Sequence, residues 1–148
     1  MCVIAAAAIA VGAGVGYYYS RPERTAEKVL TAVYTVDNAE IQRRREAIDN
    51  RTFDPYMRER CDGAVTDNCI DGMITASALY YGATPAKVES IKFSPIDKAT
   101  SDTASFQYTA VFSDDSDAKE RIGHVVMKKE NGKWRVDSFV TKSVTKAD

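Results

Sequence analysis

Polar and apolar residues alternate most cleanly in the second half of the chain. Phe106, Tyr108, Ala110 and Phe112 take every second position, with Ser105, Gln107 and Thr109 between them. Successive side chains of a strand point to opposite faces, so this spacing predicts a strand with one buried face. Ile91 and Phe93 alternate in the same way with Ser90, Lys92 and Ser94, and Pro95 ends the run. Asp114-Asp115-Ser116-Asp117 reads as an acidic turn. Ile122 to Lys129 and Lys133 to Val140 flank Asn131-Gly132, the pair that most readily adopts a two-residue hairpin turn.

The first half follows a different period. Ala26, Val29, Leu30 and Val33 lie at helical spacing, with Glu27, Lys28 and Thr31 off the stripe. Ser20 can cap this helix, Pro22 fits its first turn, and Glu23 completes a capping box. Asp37 or Asn38 caps a second helix through Ile41, Ala47 and Ile48, with Arg43-Arg44-Arg45 facing out. Phe53, Tyr56 and Met57 predict a shorter helical or turn segment opened by Asp54-Pro55. Met73 to Tyr81 reads equally as helix or strand, and Gly82 ends it. The order predicts an α+β fold, with helices packed on one face of a curved antiparallel sheet.

Composition changes at Ser20. Cys2 to Tyr19 holds no charged residue and runs 18 positions, about 27 Å as a helix against a bilayer core of about 30 Å. Tyr17-Tyr18-Tyr19 suits an interfacial belt, and Gly12, Ala13, Gly14 and Gly16 offer a surface for another helix. The favoured reading of residues 1–19 is a transmembrane anchor in contact with lipid through residues 2–19. An export signal and a buried helix are the alternatives. Residues 20–148 then form the domain, long enough for a core without a metal. A net charge of -1 gives no reason to expect nucleic acid as a partner.

Little in this chain points to chemistry. With one histidine, multi-histidine metal sites are excluded. His124 falls opposite Phe139 if Asn131-Gly132 makes a two-residue turn, and Asp137 is then its diagonal neighbour. Such a pair could act as a general base and its orienter, although Lys128 and Arg135 make the same face look solvated. A bulge would shift the register and part them. Cys61 and Cys69 bracket a polar loop, Asp62 to Asn68, turned by Gly63. A structural disulfide is the favoured reading and free thiols the alternative; the spacing is wrong for a zinc site. Trp134 reads as core, or as a pocket wall together with Tyr56, Tyr80, Tyr81, Phe106 and Tyr108. Arg43, Arg44 and Arg45 read as a solvated face that can also touch lipid headgroups or an acidic partner. The spacing of Asp114, Asp115 and Asp117 lacks the glycine and glutamate of a calcium loop. No cofactor is expected.

Paired N-terminal helices, a strand-rich second half and the closing hairpin Lys129-Glu130-Asn131-Gly132-Lys133-Trp134-Arg135-Val136 resemble the NTF2-like (cystatin-like) superfamily. A single span followed by such a domain is similar to VirB8-like secretion components, to Mce-associated membrane proteins and to small NTF2-like lipoproteins. The resemblance covers residues 22 to 141. It implies a cone-shaped sheet around a pocket, used more often for assembly than for catalysis. Together with the cysteine pair it favours a domain outside the cytoplasm, on the bacterial cell envelope. The expected function is non-catalytic: protein–protein assembly, or an accessory role in an envelope or secretion machine. A homo-oligomer is compatible with that role. A small apolar ligand binder, or an isomerase-like enzyme using the cone pocket, is the alternative.

Overall fold

The computed structural model describes residues 21–75 and 84–146. The predicted span at 2–19, and Tyr80 and Tyr81, lie outside the described residues. None of the described helices is long and apolar enough to cross a membrane.

Among the described residues four helices precede four strands. Helix α1 is Pro22–Tyr34, and its buried residues are the expected stripe, Ala26, Val29, Leu30 and Val33. It starts one residue late for the predicted cap: Arg21 is the N-cap and makes no side-chain capping hydrogen bond. Helix α2, Asn38–Asp49, is capped as expected, with Asp37 Oδ1 accepting from the Glu40 amide at 2.6 Å. Helix α3 is Phe53–Arg60, burying Phe53 and Met57. Helix α4 is Asp67–Thr75, burying Cys69, Ile70 and Met73. The segment around Met73 is thus helical as far as Thr75.

The strands β1 (Val88–Pro95), β2 (Thr103–Phe112), β3 (Ala118–Glu130) and β4 (Lys133–Lys146) form one antiparallel sheet in chain order. Sequential order follows from the short connections, because each strand pairs with the one made just before it. Asn131 and Gly132 both take positive φ, 52° and 76°, so the β3–β4 turn is the two-residue type. The buried residues of β2 are Ala104, Phe106, Tyr108, Ala110 and Phe112, the predicted parity. They pair with Met127, Val125, Gly123, Arg121 and, across β1, Val88. Helices α1, α3 and α4 bury their apolar residues in one core with this face.

The β3–β4 ladder keeps the hairpin register only as far as Met127 opposite Val136. A bulge at Asp137 then adds one residue to β4, so Val126 meets Ser138. The segment after α3 accounts for it. Val65 forms a parallel bridge to Val136, and Thr66 N donates to Val136 O at 3.0 Å. Thr66 Oγ1 donates to Asp137 Oδ1 at 2.8 Å while accepting from Cys69 N at 3.1 Å. Asn68 Nδ2 donates to Asp137 O at 3.0 Å. Asp137 is held outside the ladder because its side chain and carbonyl serve the start of α4.

Candidate functional site

A cavity of about 880 Å³ opens between the C-terminal end of α1, helix α4 and the inner face of β3 and β4. Val33, Val36, Met73, Phe112, Ala118 and Phe139 give it apolar walls. That volume falls within the ~300–1,000 Å³ usual for small-molecule sites.

Tyr34, the last residue of α1, stands at the centre of that wall. Its ring meets Tyr108 at 6.1 Å, Phe112 at 6.4 Å and Phe139 at 6.0 Å between centroids, the last two edge-on. Its hydroxyl lies 2.6 Å from that of Tyr108, whose own proton goes to Val140 O at 3.3 Å. A carbonyl can only accept, so Tyr34 is the donor to Tyr108. Burial, and then the neighbouring Tyr34, push the Tyr108 hydroxyl far above the ordinary tyrosine range, which keeps it a neutral donor. The ring of Tyr108 occupies the space over Gly123. A methyl group there would fall on the Val140 carbonyl oxygen and on the ring itself, so only glycine fits.

Arg121 completes the wall. It pairs with Ala110 and therefore points inward. Its guanidinium carbon sits 4.6 Å from the centroid of Tyr34, and Nη1 donates to Thr141 Oγ1 at 3.2 Å. Tyr34, Arg121, Phe139 and Thr141 were not among the predicted pocket residues. The signal for Arg121 was its parity: it lies two before Gly123 and four before Val125, on the strand face opposite His124.

The predicted residues are distributed otherwise. His124 pairs with Val140, not Phe139, and faces away from the core, while the bulge turns the Asp137 carboxylate to Thr66. The two are not brought together as a base and its orienter. Phe106 is core and packs edge-on against Phe93 at 5.9 Å. Trp134 is half-buried against the core, with Lys129 Nζ 5.6 Å from its ring centroid. Tyr56 donates to Glu40 Oε2 at 2.6 Å. Neither Tyr56, Phe106 nor Trp134 belongs to the described cavity lining.

Cys61 caps the end of α3 and Cys69 lies in the first turn of α4; both are buried and both are free thiols. The polar loop expected between them is a tight turn through Asp62 and Gly63, with φ of 53° and 68°, followed by Val65 in the core. Burial pushes the Cys61 thiol up to about 11 and the Cys69 thiol up to about 12.

The arginine run does not form one solvated face. At 100° per residue three consecutive positions point three ways. Arg43 is exposed, Arg45 is half-buried, and Arg44 is 1% exposed. Arg44 Nε donates to Glu40 Oε1 at 2.8 Å, Nη1 to Val33 O at 2.8 Å and Nη2 to Ala32 O at 3.0 Å. Arg60 donates to Ala32 O and Thr35 O and lies 3.0 Å from Glu40 Oε1. Two guanidinium groups thus satisfy carbonyls at the end of α1, where helix geometry leaves them without partners. Burial would raise the Glu40 carboxyl, but the hydrogen bonds of Tyr56 and Arg44 and the charges of Arg44 and Arg60 outweigh it and hold the group below its usual value.

Among the described residues no group of three or more His, Cys, Asp or Glu side chains could hold a metal. No known protein-family model matches the chain, and no curated protein is significantly similar to it in sequence.

Proposed function

We propose that the chain is a membrane-anchored, NTF2-like domain that works without catalysis, by receiving a small apolar ligand between its helices and its sheet. The observation that carries this reading is the cavity of about 880 Å³ with its apolar walls. An open pocket with apolar walls leaves apolar surface in contact with water, and a bound apolar ligand would remove that surface from water. The helices-on-meander layout supports the NTF2-like reading. The anchor at 2–19 and a place outside the cytoplasm belong to the proposal on sequence grounds.

Titration of the full chain, in nonionic detergent below its micelle concentration, with the neutral dye N-phenyl-1-naphthylamine tests the cavity. A saturable fluorescence gain at one dye per chain is expected. Ala118→Phe, which adds a ring to the wall, should weaken the dye at least tenfold with an unchanged far-ultraviolet dichroism spectrum. Non-saturable binding, or full binding by a folded Ala118→Phe variant, would overturn the reading.

A second reading, assembly, has its own observation. Val126 and Val140 stand on neighbouring strands of the outward sheet face, 37% and 50% exposed, diagonal to one another around His124. Sedimentation that changes with concentration, and loses that change in Val126→Lys/Val140→Lys, would favour it.

A further inference from the structure

We infer that the ligand is an amphipathic monocarboxylate, an apolar body with one carboxyl group, whose carboxylate is received by Arg121 and Thr141. The inference rests on the cavity reading and adds the chemical class of the occupant.

It starts from an unbalanced charge. Arg121 faces inward onto an apolar cavity, and its cation is set against the ring of Tyr34, not against an acid. Among the described residues only Nη1 has a hydrogen-bond partner, Thr141 Oγ1. Nε is sealed from solvent and has none. Leaving a buried donor of a charged group without an acceptor costs at least about 1–3 kcal/mol. The other charges of the described lining do not meet this need. Arg44 is neutralised by Glu40, and Asp71 is exposed on α4 and makes no ion pair with Arg121.

The hydroxyls around Arg121 point the same way. Tyr34 donates to Tyr108, and Tyr108 donates to Val140 O. Thr141 accepts from Arg121, and because Tyr34 has given its proton to Tyr108, the Thr141 proton goes to the Tyr34 oxygen at 3.4 Å. This pole of the cavity therefore offers donors: the Arg121 guanidinium, and the Thr141 hydroxyl, whose 3.4 Å bond to Tyr34 is long and weak enough to be exchanged for a better acceptor. Donors without a carboxylate select an anion. One uncompensated guanidinium balances one negative charge. A carboxylate leaves no residue of charge in the apolar space, whereas a phosphate monoester would. Thr141 is exposed and Arg121 half-buried, so the head group would sit at the mouth with the apolar body running inward against Phe139, Phe112 and Val33.

The test is displacement of N-phenyl-1-naphthylamine from the full chain at pH 7.5 by decanoate and by 1-decanol, each below its aggregation limit. Decanoate should displace the dye at a concentration at least tenfold lower than decanol. In Arg121→Gln that preference should fall below threefold while dye affinity is kept, and Thr141→Val should narrow it partway. Equal competition by acid and alcohol on the wild-type chain overturns the inference and leaves the cavity reading standing. So does a preference that survives in Arg121→Gln. Failure of the dye itself to bind saturably overturns both. The wild-type comparison needs no variant, so a misfolded Arg121→Gln does not remove the test.

Discussion

Replacing Glu40 by glutamine should cost the domain about 3 kcal/mol at neutral pH. Glu40 is 2% exposed and serves four partners: Arg44 and Arg60 at Oε1, Tyr56 and Arg43 at Oε2. Breaking a buried ion pair by removing one charge costs about 3–5 kcal/mol, because the other charge stays behind. The side chains of Arg43 and Arg60 are 53% and 28% exposed, so water screens what they lose. Arg44 has no such relief, but it keeps the Val33 and Ala32 carbonyls, which places the cost at the lower end of the range. Trp134, the single tryptophan, is half-buried and reports unfolding by fluorescence. With an m-value near about 2 kcal/mol/M in urea, the midpoint should fall by about 1.5 M with m unchanged. The pH dependence has a defined sign. The folded carboxyl is held below its usual value of 4.5. Its contribution is therefore complete above that pH and is lost as pH falls through the lower folded value. The gap between wild type and Glu40→Gln should be full at pH 7 and close in acid. A midpoint shift under 0.3 M at pH 7, on an order of about 2 kcal/mol/M, would refute the argument that Glu40 neutralises the arginines closing α1.

Two further outcomes follow from the packing. Gly123→Ala should destabilise by about 1–3 kcal/mol in the same urea assay, because backbone as well as the Tyr108 ring blocks the methyl group; pairing it with Tyr108→Ala should recover part of the cost of the glycine change, and strict additivity would show that the ring is not the obstacle. Cys61 and Cys69, buried with pKa pushed up to about 11 and about 12, should resist iodoacetamide at pH 8 in the folded chain and both react once denaturant is added without reductant. Peptide mapping of the alkylated sites checks this, and two unmodified positions in denaturant would mean a disulfide joins them.

The sheet was readable because each strand with one buried face repeats every second residue, and Asn131-Gly132 names its own turn. The α1 stripe and the Asp37 cap were readable for the same reason: their signals are local. What escaped was set by partners distant in sequence. The Asp137 bulge depends on Thr66 and Asn68, some seventy positions earlier, and no feature of β4 itself announces it. Arg44 looked like surface because a charged side chain is exposed by default. Its burial needs the α1 carbonyls and Glu40 together. The cavity needs α1 and α4 to stand apart beside β3 and β4, and spacing along one segment carries no record of that separation. Arg121 was the one site residue with a local trace, an arginine in phase with Gly123, Val125 and Met127.

The stretch that reaches from α3 to α4 also decides what the outer margin of the sheet can join. Ala64 O and Thr66 N take up both main-chain groups of Val136, and Asn68 takes the carbonyl of Asp137. A foreign strand seeking to extend the sheet finds those hydrogen-bonding positions already used, which is how natural sheets avoid clumping edge to edge. At the opposite margin β1 closes on Pro95, which has no amide hydrogen to offer.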